Sequence, residues 1–172
     1  ALIKSWEKHR DAFTAHKLKC DEAFVNALKS SEDEMKLKVK LNKTLEELQS
    51  SNDNANGNAI EIFENEGSSA KLNCRELFDD GMNKLNEALS TSWEKHRVAF
   101  TAHKADIKIQ CDNAVDKALR SYKNEMKGKI QSSTTKHGLQ TCNDNAIENA
   151  IKKFKVEVPS ELYNDLLVKL EQ

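Results

Sequence analysis

Four histidines with a matched spacing are the residues of this chain best suited to hold a metal ion. They are His9, His16, His96 and His103. The members of each pair stand seven residues apart. In a helix that spacing separates them by about 10 Å, too far to share one ion with bonds of about 2 Å. Glu7 or Asp11 could complete a site with His9, but Val98 stands at the position that matches Asp11 in the second copy. We therefore predict that the histidines line a helix–helix contact and bind no metal.

A calcium loop is the next candidate, at residues 52–57, which read NDNANG and imitate the opening of an EF-hand. Such a loop needs a bidentate glutamate at its twelfth position, where this chain has Phe63. Its first position is Asn52 rather than an aspartate, and the second copy of the stretch lacks the glycine. We predict no calcium site.

Motifs for nucleophilic catalysis, zinc hydrolysis and phosphate binding are absent from the sequence. It contains no GxxxxGKS/T loop, HExxH helix, CxxC pair or GxSxG elbow. Acidic runs such as residues 32–34 and 79–80 are typical of solvated helix faces. The sequence therefore predicts no catalytic residue, no cofactor and no enzyme activity for this chain.

Charge and composition limit the classes of partner that this chain is expected to bind. Lys and Arg number 27 against 28 Asp and Glu, so there is no basic excess to bind the phosphate backbone of a nucleic acid. The apolar runs are too short to span a bilayer. With 38% apolar residues, 32% charged residues and one proline, the chain is typical of a soluble, helix-rich protein. We predict no nucleic-acid partner and no membrane-spanning segment.

The four cysteines leave two interpretations open. Their even number permits two disulfides in an oxidising compartment. All four fall inside helical patterns, however, where free cysteine packs as a small apolar residue. We favour buried thiols in an intracellular protein.

One sequence occurs twice along the chain. Residues 5–17 read SWEKHRDAFTAHK, and residues 92–104 read SWEKHRVAFTAHK. After a four-residue insertion the match resumes, and it extends to the motif NDNAxxNAIxxF, which ends at Phe63 and at Phe154. A period near 90 residues suits a module of three helices. Two copies at matching positions favour a stacked scaffold over an enzyme.

The apolar periodicity predicts helices throughout. The first covers about residues 5–38, and a capping box that starts at Thr44 begins the second, which closes at Gly67. An unbroken apolar stripe predicts one continuous helix over about residues 69–128, on the order of 90 Å long. Further helices are expected at about residues 134–155 and from Ser160 onward.

The expected fold is an all-α, elongated five-helix array. Helical repeat one covers residues 1–90 and helical repeat two covers residues 91–172. These two three-helix-type repeats share the long central helix. We expect the large aromatic residues to supply the packing core. They are Trp6, Phe13, Phe63, Phe78, Trp93, Phe100, Tyr122 and Phe154.

Three segments in the first repeat carry a family resemblance. They read MKLKVKL at residues 35–41, TLEEL at 44–48 and AIEIF at 59–63. This order resembles the helical middle region of the guanylate-binding protein branch of dynamin-like large GTPases, with atlastins as relatives. The second repeat keeps part of the pattern. Its matching residues are Ala114, Ala118, Tyr122, Met126, Leu139, Ala146 and Phe154.

The resemblance implies a non-catalytic helical stalk that relays movement of a GTPase domain and mediates self-association or membrane-related assembly. The implied partners are the parent GTPase domain and further copies of the chain. Any membrane contact would be indirect, through the parent protein, in the cytoplasm. The phosphate-binding and switch residues of that GTPase domain have no counterpart in this chain, so no nucleotide-binding residue can be assigned here.

Two other functions remain open from the sequence. One is a free-standing spectrin-like adaptor or cytoskeletal repeat protein, because spectrin arrays also contain helices that run through the junction between repeats. The other is a secreted helical carrier of an apolar ligand, which oxidised cysteines would favour.

Overall fold

In the computed structural model, which describes residues 2–158, all regular secondary structure is α-helical. This confirms the predicted all-α fold class. The helices are α1 Leu2–Leu41, α2 Leu45–Glu66, α3 Ser68–Asn73, α4 Arg75–Ser132 and α5 Lys136–Glu157. The helix predicted from Ser160 onward lies outside the described residues.

The turn between α1 and α2 is set by the capping box that the sequence predicted. Thr44 is the N-cap, and its Oγ1 accepts the backbone N–H of Glu47 at 3.2 Å. The Glu47 carboxylate accepts the backbone N–H of Thr44 at 3.3 Å in return. Two N–H groups that the first helical turn leaves unpaired are thereby satisfied, so α2 has a defined start.

The long helix begins later than predicted. The sequence pattern placed its start at about Ser69, but the chain breaks at Cys74 (φ −146°, ψ 63°) between α3 and α4. The break allows Ala70 and Phe78 to be buried in the same core cluster, on either side of Cys74. Tertiary packing thus interrupts a stripe whose periodicity alone does not reveal a bend.

Residues Ala1–His103 form one compact unit. Its main core cluster joins small residues of α1 to aromatic and leucine side chains of α2 and α4. The rings of Phe63 and Phe78 contact each other there, with centroids 5.2 Å apart and planes tilted by 42°. The buried members are Cys20, Ala23, Ala27, Ala59, Phe63, Ala70, Phe78, Leu85 and Leu89.

Residues Lys104–Gln172 form the second compact unit. Within its described part, the later turns of α4 pack against α5, which begins at the N-cap Thr135. Thr135 Oγ1 accepts the backbone N–H of Gly138 at 3.1 Å. The buried members of the core are Cys111, Ala114, Ala118, Ala150, Phe154 and Val158.

The α1–α2 pair and the pair formed by α4 and α5 repeat the same interhelical polar contact. Asn26 Nδ2 donates to the Glu66 carboxylate at 2.9 Å, and at the matching positions Lys117 Nζ donates to the Glu157 carboxylate at 3.0 Å. The duplicated sequence therefore folds into the same kind of helical pair twice.

Candidate interaction site

The aromatic residues predicted as packing residues fall into a buried group, a half-buried pair and an exposed pair. Phe63, Phe78, Phe100 and Phe154 are buried. Trp93 and Tyr122 are half-buried. Tyr122 Oη also donates a hydrogen bond to Asn143 Oδ1 at 2.7 Å, which ties α4 to α5. The remaining pair, Trp6 and Phe13, is exposed.

For Trp6 and Phe13 the predicted place in the core is wrong. Their exposed fractions are 64% and 50%, respectively. The buried face of α1 begins only at Cys20, and no residue from 2 to 19 is buried, although Phe13 lines a groove with the first turn of α4. The guanidinium of Arg10 lies over the ring of Trp6, 5.3 Å from the ring centroid. Helical periodicity predicted a core position for these residues, but a side chain is buried only where another element packs against it.

The second copy of the same segment has that neighbour. Its aromatic residues pack into a cluster formed by the C-terminal part of α1 and the N-terminal part of α2, all within unit Ala1–His103. We call this contact the repeat seam. It comprises Met35, Val39, Leu48, Ala55, Phe100 and the half-buried Trp93.

The difference between the two copies is large. Phe100 is 6% exposed, whereas its counterpart Phe13 is 50% exposed. One turn before each tryptophan stands a leucine, and the contrast is larger there: Leu89 is 3% exposed and Leu2 is 87% exposed. The same residues therefore serve as core in one copy and as surface in the other. We call the exposed residues Leu2, Trp6 and Phe13 the head surface.

Polar groups at the repeat seam are also organised. Ser92 is buried, and its Oγ lies 3.1 Å from Nε2 of His96. Burial lowers the pKa of His96; the charge of Glu32 opposes this effect, while Lys36 and Lys95 add to it. A neutral imidazole therefore suits this position.

A shallow groove lies alongside the repeat seam and has a volume of about 410 Å³. Its lining mixes apolar and polar side chains and carries charges of both signs, from Glu32 and Glu87 on one hand and Lys84 and Lys95 on the other. Such a lining is typical of the rim of a helix–helix contact rather than of an apolar ligand cavity.

Unit Lys104–Gln172 displays the counterparts of the residues that hold the seam aromatics. Met126, Ile130 and Leu139 match Met35, Val39 and Leu48, and we call these three the tail surface. Ile130 is 60% exposed, and Met126 and Leu139 are half-buried. Ala146 is buried, as its counterpart Ala55 is.

The chemistry-bearing residues singled out in the sequence are the histidines, the stretch at residues 52–57 and the cysteines. In the described range 2–158, no group of three or more His, Cys, Asp and Glu side chains is placed to hold a metal ion. Residues 52–57, which imitate a calcium loop, lie inside α2, where Asn52 is buried. None of the four cysteines, all within the described residues, forms a disulfide; Cys20 and Cys111 are buried, and Cys74 and Cys142 are half-buried.

Exposed apolar side chains on α1 do not make it a membrane span. None of the helices described over residues 2–158 combines the length and apolar character needed to cross a bilayer. Comparison of the chain with protein-family models, with curated protein sequences and with solved structures gives no match.

Proposed function

We propose that this chain is a non-catalytic helical scaffold that binds other protein surfaces at its repeat ends. One observation carries the proposal: a near-identical segment is core in the second copy and surface in the first. The segment at residues 92–104 contributes the buried Phe100, whereas the segment at residues 5–17 displays Trp6 and Phe13. Exposed apolar patches mark protein–protein interaction sites, and tryptophan is enriched among the residues that dominate the binding energy of such contacts.

The first setting for this scaffold is the stalk of a guanylate-binding-protein-like large GTPase in the cytoplasm. The resemblance of residues 35–63 supports it, as does the all-α fold of the described residues. In this setting the helices would relay movement of the GTPase domain along the stalk. Contact with a membrane would occur only through the parent protein.

A second setting is a free-standing repeat adaptor of spectrin-like organisation. The repeat seam favours this alternative, because it shows one repeat receiving the first helix of the next. A surface that already accepts the following repeat is what an array of such modules needs.

The full natural transcript distinguishes the two settings. An upstream domain with a GxxxxGKS/T loop would support the stalk, and we then expect assembly of that protein to differ between its GTP-bound and GDP-bound forms. Nucleotide-independent assembly would contradict the stalk. A transcript that encodes only further copies of these helices would support the adaptor.

The scaffold role itself has a separate test. Substitution of head-surface residues should abolish binding of protein partners while leaving the fold intact. If the Trp6→Ala/Phe13→Ala variant still binds every protein partner other than a second copy of this chain, the proposed scaffold role is wrong.

A further inference from the structure

We propose that the head surface of one chain docks on the tail surface of a second copy of this chain. The inference rests on the proposed scaffold role and names the partner at its repeat ends. The repeat seam inside unit Ala1–His103 is its template, since there a tryptophan and a phenylalanine of the same segment already occupy a surface of the same type.

The docking residues match those that already pack. Trp6 and Phe13 correspond to Trp93 and Phe100, and twelve of the thirteen positions from Ser5 to Lys17 are identical to those of residues 92–104. Asp11 in place of Val98 is the sole difference. Val98 is exposed in its own copy, so this difference lies away from the seam.

The receiving residues are matched almost as closely. Met126 and Leu139 are identical to their seam counterparts Met35 and Leu48, and Ile130 replaces Val39 with one additional methylene. Ile130 is 60% exposed. Docking would therefore bury on both partners apolar area that water now covers, which favours association.

Charge separates the proposed contact from its template. Glu32 lies on the rim of the seam beside Lys95, and its charge acts on His96. In the second repeat the matching residue is Lys123, which would face Lys8, the counterpart of Lys95. Two like charges at this rim repel each other and weaken the contact at low salt. Because salt screens this repulsion, the contact should be stronger at high salt.

A contact between two different surfaces leaves one head and one tail free in every dimer. Association therefore continues into open arrays unless the rotation between copies closes a ring. Two variants that lack opposite surfaces can therefore pair with each other, which a symmetric head-to-head contact would not allow.

The experiment is sedimentation velocity ultracentrifugation of two complementary variants, alone and mixed, at high micromolar concentration. Trp6→Ala/Phe13→Ala removes the head surface, and Ile130→Glu places a charge in the tail surface. Both sites are exposed in the single chain, so both variants should keep the helical circular dichroism of the unchanged chain. Leu72→Ala, at a residue that is 85% exposed and outside both surfaces, is the matched control.

We expect the unchanged chain and Leu72→Ala to form a concentration-dependent series of oligomers. Each docking variant alone should associate at least about tenfold more weakly, as expected when buried anchors are lost. The mixture should form a dimer of one variant with the other, because one intact head and one intact tail remain. Lys123→Glu, which restores the charge of Glu32, should tighten association of the otherwise unchanged chain at low salt.

Three results would overturn the inference: an unchanged chain that stays monomeric, an Ile130→Glu variant that associates normally, or a mixture that stays monomeric. None of these would decide the scaffold role, which is judged by the binding of other partners. Conversely, a mixed dimer that forms while all other partners still bind the head variant would support head-to-tail docking and contradict the broader role.

Discussion

Gly81 lies so close to the ring of Phe63 that a Cβ on it would stand 2.7 Å from Cζ of that ring. Phe63 is fully buried and packs on Phe78, so its ring has little room to withdraw. The glycine, which interrupts an otherwise helical pattern, is therefore required by packing between α2 and α4 rather than by the backbone of α4.

Gly81→Ala should destabilise the fold by about 1–3 kcal/mol, because overpacking outweighs the gain in helix propensity. Gly57→Ala is the matched control, since a Cβ there would meet no atom within 4 Å. That control should stabilise α2 by about 0.5–1 kcal/mol. Urea unfolding followed by circular dichroism measures both changes. A Gly81→Ala variant as stable as Gly57→Ala would contradict the packing argument.

The two copies of one phenylalanine should differ in their contribution to stability. Phe100→Ala removes a side chain that is buried in the repeat seam and should cost about 3–5 kcal/mol. Phe13→Ala removes the same side chain from an exposed site and should change the free energy of unfolding by less than about 0.5 kcal/mol. Thermal and urea unfolding at low protein concentration provide the comparison. Equal losses would show that the head surface is buried within the single chain.

The stability of the fold should fall with acidification through His96. Burial lowers the pKa of this imidazole below its usual value of 6.5, so the folded state binds fewer protons than the unfolded state. The contribution is complete above about pH 6.5 and is lost as pH falls through the lowered pKa.

Urea midpoints between neutral and mildly acidic pH measure this dependence. His96→Gln should show a flatter profile than the unchanged chain. If His96→Gln leaves the slope unaltered, the buried neutral imidazole is not a source of the pH dependence.

The thiols should react at two different rates. Burial raises the pKa of Cys20, and the charge of Asp21 and the neighbouring Cys74 add to this effect. Cys20 and Cys111 are buried, whereas Cys74 and Cys142 are half-buried. A disulfide reagent whose released product absorbs light should therefore react with Cys74 and Cys142 first in the native protein. Four equal rates without denaturant would contradict the burial of the first pair.

Local structure could be predicted well from the sequence where short-range chemistry decides it. The capping box from Thr44 to Glu47 fixes the start of α2, and both of its hydrogen bonds form. The all-α class follows from periodicity and from a composition with one proline. These features depend on residues only a few positions apart.

The candidate site could be predicted only in part, because burial depends on which helix lies opposite. The segment at residues 5–17 has the same apolar stripe as its copy, yet the buried face of α1 begins only at Cys20. The break in the helix at Cys74 also depends on tertiary packing, since it allows Ala70 and Phe78 to be buried in the same core cluster. Neither is encoded in the local spacing of apolar residues. The leucine before each tryptophan, Leu2 and Leu89, was a signal of the extended repeat that the sequence already contained.

The central claim is that one segment is core in its second copy and surface in its first, and the two tryptophans of the chain report on it directly. Trp93→Phe leaves Trp6 as the only tryptophan, and Trp6→Phe leaves Trp93, so excitation selective for tryptophan reports on one site at a time. The measurement is acrylamide quenching of tryptophan fluorescence at concentrations low enough to keep the chain monomeric. We predict that Trp6 is quenched readily and emits at longer wavelength, while Trp93 is protected and emits at shorter wavelength. Equal quenching of the two, or stronger protection of Trp6, would contradict the account.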